Sequence, residues 1–170
     1  DAVAYHATLF VNGHNAGAHA GSYDAFSFDI TPYLTTGKNT LVVAVQDLND
    51  GRVPSGKNGP RGDYTFCSGI WRTVWLEPVN KTHIENIRLL PDLANNRLKV
   101  LVNTTGKGKV TAIALDGTNE VSLAEAAGGV SFYLPITSPK LWSPDEPFLY
   151  DLNISLKDAR GNVVDKVKSY

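Results

Sequence analysis

The sequence lacks several features that mark particular classes of protein. Its 170 residues include a single cysteine, Cys67, so no disulfide can form within the chain and stability must come from packing. No apolar run approaches the roughly 20 residues of a membrane helix, so we expect no membrane span. The formal net charge is −1, which gives no electrostatic reason to expect nucleic acid or an anionic membrane as a partner.

Helical periodicity is also scarce, and alternation of apolar and polar residues takes its place. Residues 3–11 carry alternating positions that predict a strand with one face on a core: Val3, Tyr5, Ala7, Leu9 and Val11. The Asn12-Gly13 step after it predicts a tight hairpin turn. Further strands are expected over residues 24–30, 39–47 (buried) and 70–79. One short helical turn is expected at 31–37, with Thr31 as N-cap and Pro32 in the first helical position.

The second half of the chain contains shorter strand-like runs separated by Gly, Asn and Pro clusters. The runs cover residues 83–90, 97–105, 109–116, 130–136, 148–158 and 163–170. This spacing is typical of a β-sandwich. The strand-like runs become shorter from residues 78–82 onward. The sequence therefore predicts an all-β protein of two domains, residues 1–79 and 80–170.

A long connection, residues 48–62, is rich in Gly, Pro, Asn and charge, and connections of this length inside compact domains are more often functional than merely connective. Gly56-Lys57 resembles the end of a phosphate-binding loop, but Asn58 stands where Ser or Thr would hold magnesium. Arg61-Gly62-Asp63 matches a cell-adhesion tripeptide that recurs by chance. We expect neither function.

The run 70–79 places Trp71 and Trp75 on one strand face, opposite Ile70 and Val74. We expect the tryptophans to pack in a core or between domains, where large aromatic rings bury well. Stacking on sugar rings is the alternative. The four histidines have none of the spacings of a zinc site, and Cys67 has no partner nearby, so we expect no metal and no cofactor.

Three motifs occur in order along the chain: "LFVNGHNAGAHAGSYDAFSFDITPYLTTGKNTLVVAVQD", "SGIWRTVWLEPV" and "LWSPDEPFLY". Together they resemble glycoside hydrolase family 2, which includes β-galactosidases, β-glucuronidases and β-mannosidases. The first motif resembles the second half of the family's sugar-binding jelly roll, the second resembles the strand that closes it, and the third resembles the end of the immunoglobulin-like second domain. The resemblance implies two β-sandwiches, a partial jelly roll without its first strands and an immunoglobulin-like domain.

The family's catalytic glutamates lie on a barrel that follows the second domain. The resemblance therefore implies that this chain is a piece of a longer enzyme that hydrolyses terminal β-linked sugars with retention, and that the piece has no catalytic residues and is inactive alone. Its expected partners are carbohydrate, through the parent enzyme, and the absent barrel. An incomplete jelly-roll edge would also permit a homo-oligomer. The compartment stays open between periplasm, secretion and cytoplasm.

One site residue follows from the resemblance. An aspartate separated by four residues from the Ser-Gly-Ile step contacts substrate hydroxyls in the galactosidase and glucuronidase branches, and Asp63 holds that position here. A carboxylate accepts hydrogen bonds from sugar hydroxyls. Arg52, Lys57 and Arg61 would then form a rim of the pocket. The competing hypothesis is a free-standing carbohydrate-binding or adhesin-like sandwich without a catalytic partner.

Overall fold

The computed structural model of the protein describes residues 2–48 and 64–170. Contacts divide the chain into two compact units, an N-terminal unit of residues 1–76 and a C-terminal unit of residues 77–170. Strands make up both units, and the helical elements within the described residues are two single 3-10 turns. The all-β prediction is confirmed. No helix in these ranges has the length and apolarity required to cross a membrane.

In its described residues, the N-terminal unit has five strands: β1 (Val3–Ala4), β2 (His6–Val11), β3 (His14–Ala20), β4 (Leu41–Gln46) and β5 (Gly69–Ile70). The central strand β2 pairs antiparallel with β3 on one side and β4 on the other. A second, two-stranded sheet joins β1 to β5. This sheet is what ties the start of the unit to the segment that follows the long connection.

The predicted hairpin is present between β2 and β3. Asn12 and Gly13 have φ angles of 51° and 83°, and positive φ at both positions defines the turn whose twist matches antiparallel strands. Of the five residues predicted to face the core, Val3, Ala7 and Val11 are buried and Tyr5 and Leu9 are half-buried. The predicted strand 3–11 is divided at Tyr5 into β1 and β2. A two-residue period therefore predicted the inward face, but not the interruption.

Other predictions for this unit were wrong in detail. The helical turn is a 3-10 turn, Thr31–Tyr33, and Ile30 rather than Thr31 occupies the N-cap position. Thr31 lies within the turn, because its backbone N–H donates a hydrogen bond of 2.9 Å to Asp29 Oδ1. No strand covers residues 24–30. Among the described strands, β4 pairs with β2 alone, and its Leu41 side chain is 48 % exposed rather than buried.

The run 70–79 was predicted to be one strand, but only Gly69–Ile70 is a strand. Residues 71–79 lie in no strand. Strand β1 offers β5 only two paired positions, Val3 opposite Ile70 and Ala4 opposite Gly69. Alternation alone therefore overestimated a strand whose partner is two residues long.

The C-terminal unit is described throughout and has seven strands: β6 (Ile84–Asp92), β7 (Arg97–Thr104), β8 (Lys109–Asp116), β9 (Asn119–Ala127), β10 (Phe132–Pro135), β11 (Asp151–Lys157) and β12 (Val163–Ser169). They form a three-stranded sheet in the order β10-β7-β6 and a four-stranded sheet in the order β12-β11-β8-β9, both antiparallel.

The two sheets of this unit share one apolar core. The three-stranded sheet supplies Val100, Val102 and Leu134, and the four-stranded sheet supplies Val110, Ala112, Leu152, Ile154 and Leu156. These side chains occupy alternate positions of their strands, as one-sided burial of an antiparallel sheet requires. The unit is therefore a β-sandwich that encloses its own core.

Candidate functional site

The predicted substrate-binding residue, Asp63, and the predicted rim residues Arg52, Lys57 and Arg61 lie outside the described residues. They stand between strands β4 and β5. The described flanks show how the N-terminal unit holds the two ends of this connection, and the contribution of the four side chains stays a prediction.

The flanks of the connection converge on one short stretch of chain. At the end of β4, Gln46 lies opposite His6, and its carbonyl oxygen accepts a hydrogen bond of 3.4 Å from the backbone N–H of Tyr5. On the far side, Gly69 of β5 lies opposite Ala4. Positions 46 and 69 are thus fixed by residues 4–6. The connection between these two positions is therefore anchored to a sheet on both sides.

Trp71 fastens the segment that follows the connection. Its backbone N–H donates to the Ala2 carbonyl at 3.4 Å, and its indole Nε1–H donates to the Ser22 carbonyl at 2.8 Å. The Tyr23 ring meets the indole edge-on, with centroids 5.7 Å apart, and the guanidinium of Arg72 lies 4.9 Å from the indole centre. These contacts fix the direction in which the chain leaves β5.

Trp71 and Trp75 were predicted to be buried in a core or between domains, and a core position was wrong. Trp71 is 48 % exposed and Trp75 is 61 % exposed. The reason is that residues 71–79 form no strand, so the two indole rings do not lie on the inner face of a sheet. Ser22 and Tyr23, which hold Trp71, carry no signal in the sequence because they lie 49 and 48 positions away from it.

Two asparagines of the first family motif are hydrogen-bond partners. Asn12, from Val-Asn-Gly, donates from Nδ2 to Asn39 Oδ1 at 2.7 Å and to the Tyr33 carbonyl at 2.9 Å, while its Oδ1 accepts from the Thr40 N–H at 2.9 Å. Asn39, from Gly-x-Asn, also bonds the backbone of Thr35 in both directions. The pair ties the β2–β3 hairpin to the start of β4, the strand that leads into the connection.

The histidines of the N-terminal unit take part in ring contacts. His19 stacks on Phe26 with centroids 4.2 Å apart, and His14 stacks on Tyr33 at 5.9 Å. In residues 2–48 and 64–170, no group of three His, Cys, Asp or Glu side chains could hold a metal ion. The exposed thiol of Cys67 donates to the Thr65 carbonyl at 3.6 Å.

Ion pairs lie on the surface of the C-terminal unit. Glu125 pairs with Lys109 and accepts a hydrogen bond of 2.7 Å from the Thr111 hydroxyl; Lys109 first and then Thr111 lower the pKa of this carboxyl. Asp116 lies 2.5 Å from the Lys140 ammonium and raises the pKa of that lysine. These pairs are exposed, so they stabilise the sandwich only weakly.

Comparison with known protein families identifies the chain. Residues 1–81 match the family model "Glycosyl hydrolases family 2, sugar binding domain", and residues 82–170 match the model "Glycosyl hydrolases family 2". The chain belongs to glycosyl hydrolase family 2, as the motifs predicted.

Individual relatives agree with the family assignment. The β-galactosidase of Thermoanaerobacter pseudethanolicus is 30 % identical over 165 residues, which are 88 % of this chain and 22 % of the relative. Bacteroides uniformis β-glucuronidase superposes with a TM-score of 0.79 at 27 % identity, over 100 % of this chain and 23 % of that one. A structure of B. uniformis β-glucuronidase 2 covalently bound to cyclophellitol-6-carboxylate aziridine gives a TM-score of 0.77 at 28 % identity, over 100 % and 23 % of the two chains.

The chain spans about a fifth of the length of the curated relatives that it matches. It matches the N-terminal domains of family 2 glycosidases.

Proposed function

We propose that this chain is part of a retaining glycosidase that acts on terminal β-linked sugars, and that it completes one wall of a substrate pocket built mainly by a catalytic barrel outside the chain. The observation that carries the proposal is the match of both units to family 2. Relatives include β-galactosidases and β-glucuronidases. The covalent sugar mimic on one relative supports retention, because retaining enzymes form a covalent glycosyl intermediate.

Within this proposal, Asp63 is the substrate contact and Arg52, Lys57 and Arg61 form the rim beside it. The support is the position of Asp63 before the Ser-Gly-Ile step and the anchoring of both flanks of its connection to residues 4–6. A connection held at both ends loses less entropy when its side chain engages a ligand. Ligand sites also favour the borders between domains, where a second domain can close a pocket.

The test is hydrolysis of aryl β-galactoside, β-glucuronide and β-mannoside by the full-length protein and by its Asp63→Ala variant. One glycoside should be hydrolysed, and its kcat/KM should fall about 10- to 150-fold in the variant. This factor corresponds to the free energy lost with hydrogen bonds to a charged group. Asp145→Ala is the matched control, since Asp145 is an exposed loop aspartate of the other unit. Equal kinetics for wild type and Asp63→Ala would remove the pocket role.

A free-standing carbohydrate-binding module is the second candidate, and the exposure of Trp71 and Trp75 favours it, because exposed indole rings can stack on sugars. It predicts that the full-length protein binds glycans without hydrolysing any of the three aryl glycosides, and that Trp71→Ala abolishes the binding. Turnover of one glycoside together with unaltered glycan binding by Trp71→Ala would exclude this candidate.

A further inference from the structure

The outer face of the three-stranded sheet in the C-terminal unit contains a depression of about 290 Å³. Its lining combines cations, apolar groups and a hydroxyl: Arg88, Leu90, Lys99, Leu101, Gly129 and Ser131. It lies on the side of the sheet opposite the core, because Val100, between Lys99 and Leu101, points into the sandwich. The volume is close to the lower end of small-ligand pockets, which suits a single ring-sized ligand.

The strand register brings two positive charges together at this depression. Arg88 lies opposite Leu101, and Leu90 lies opposite Lys99, so the two cations are diagonal neighbours on one face of an antiparallel pair. Diagonal neighbours have Cα atoms roughly 7–8 Å apart. Both side chains line the same depression, and like charges within the Debye length of about 10 Å at 0.1 M salt repel each other.

Neither cation is neutralised by a residue that the structure describes. In residues 2–48 and 64–170, the side chains of Arg88 and Lys99 make no hydrogen bond and no ion pair. The next cation on the same face, Arg97, is neutralised: its Nε lies 2.7 Å from Asp92 Oδ2, and its guanidinium lies 3.9 Å from the centre of the Tyr133 ring. An anion bound between Arg88 and Lys99 would remove the repulsion between them.

We propose that this depression binds a carboxylated sugar, a uronate unit. The carboxylate would bind between Arg88 and Lys99, where a charge-assisted hydrogen bond to the guanidinium is available. The apolar C–H face of the ring would lie on Leu90 and Leu101, and the Ser131 hydroxyl would bond a ring hydroxyl. The site lies on the C-terminal unit and is independent of the role proposed for Asp63, so either proposal can fail while the other holds.

Equilibrium dialysis of the full-length protein against radiolabelled D-glucuronate, with D-glucose as the neutral counterpart, tests the proposal. The Arg88→Gln/Lys99→Gln variant should bind one equivalent of glucuronate fewer than wild type, or bind that equivalent at least about tenfold more weakly, since it loses charge-assisted bonds. Hydrolysis of aryl glycosides by the variant should equal that of wild type. Counting equivalents separates this site from any uronate bound at the catalytic centre.

The matched control is Lys107→Gln/Lys168→Gln, which removes two exposed charges from the same unit at positions outside the depression. It should keep the full number of equivalents, and both double variants should unfold at the wild-type temperature. Equal numbers of equivalents in wild type and Arg88→Gln/Lys99→Gln would overturn the proposal. Binding of glucose as tightly as glucuronate would also overturn the proposal. So would binding of an acidic peptide to this face when glucuronate does not bind.

Discussion

The two units are stabilised in different ways. Of the seven largest fully buried side chains in the described residues, six belong to the C-terminal unit, and only Val11 belongs to the N-terminal unit. The C-terminal unit packs its apolar residues between two sheets. The described part of the N-terminal unit leaves most of the large apolar residues of 64–76 exposed, and it relies on hydrogen bonds such as Asn12–Asn39 and on ring contacts such as His19–Phe26. Loss of core volume should therefore matter most in one unit, and loss of a polar side chain in the other.

The largest effect is expected from Leu134→Ala in the C-terminal unit. Leu134 has no exposed surface and lies in the core cluster, so truncation leaves a cavity and should lower the free energy of unfolding by about 2–5 kcal/mol. Leu123→Ala is the control, because Leu123 of β9 is 48 % exposed, and it should cost less than about 1 kcal/mol. Urea denaturation measures both. Equal losses would mean that the sandwich does not depend on this core.

A smaller effect is expected from Asn12→Gly in the N-terminal unit. Glycine tolerates the φ of 51°, so the loss reports the side chain, which bonds Tyr33, Asn39 and Thr40. We expect a cost of about 1–3 kcal/mol, because the partners lose their bonds. Asn96→Gly is a matched control in the C-terminal unit: Asn96 has φ 48°, and its side chain makes no hydrogen bond in the described structure. A similar loss in both variants, by thermal unfolding, would show that the network adds nothing.

The smallest effect concerns the surface pair of Glu125 and Lys109. Because the pKa of Glu125 is lowered in the folded protein, its charge stabilises the fold above the ordinary pKa of a glutamate, and this contribution disappears as the pH falls through the lowered value. Glu125→Gln keeps an acceptor for Thr111 and removes only the charge. The variant should unfold at a slightly lower temperature than wild type at pH 7 and at the same temperature near pH 2. A difference in melting temperature that grew on acidification would contradict the assignment.

The sequence predicted the parts of the fold that depend on local pattern. The predicted runs identified six of the seven strands of the sandwich but not β9. Alternation identified the inward face of β2, and Asn12-Gly13 identified its hairpin, because one residue in two faces a core and positive φ restricts residue type. The same rule failed at residues 71–79, where the extent of a strand depends on a partner distant in sequence. It also gave no hint of the Asn12–Asn39 bond, although both residues belong to the recognised motifs.

For the candidate site, the sequence could indicate which residue is the candidate substrate contact but not which groups surround that residue. Asp63 is identified by its distance from the Ser-Gly-Ile step, and that distance says nothing about the groups around its carboxylate. The paired cations Arg88 and Lys99 illustrate the same limit, since they are eleven positions apart and become neighbours only through the β6–β7 register.

The central claim is that Asp63 bonds a substrate hydroxyl, and a cycle of variant and deoxygenated substrate tests it most directly. Wild-type full-length protein and Asp63→Ala would be compared on the preferred aryl glycoside and on its singly deoxygenated analogues. The account predicts that removing one particular hydroxyl lowers kcat/KM about tenfold or more in wild type and has almost no further effect in the variant, because the bond is already absent. The same loss in both proteins for every hydroxyl would contradict the claim.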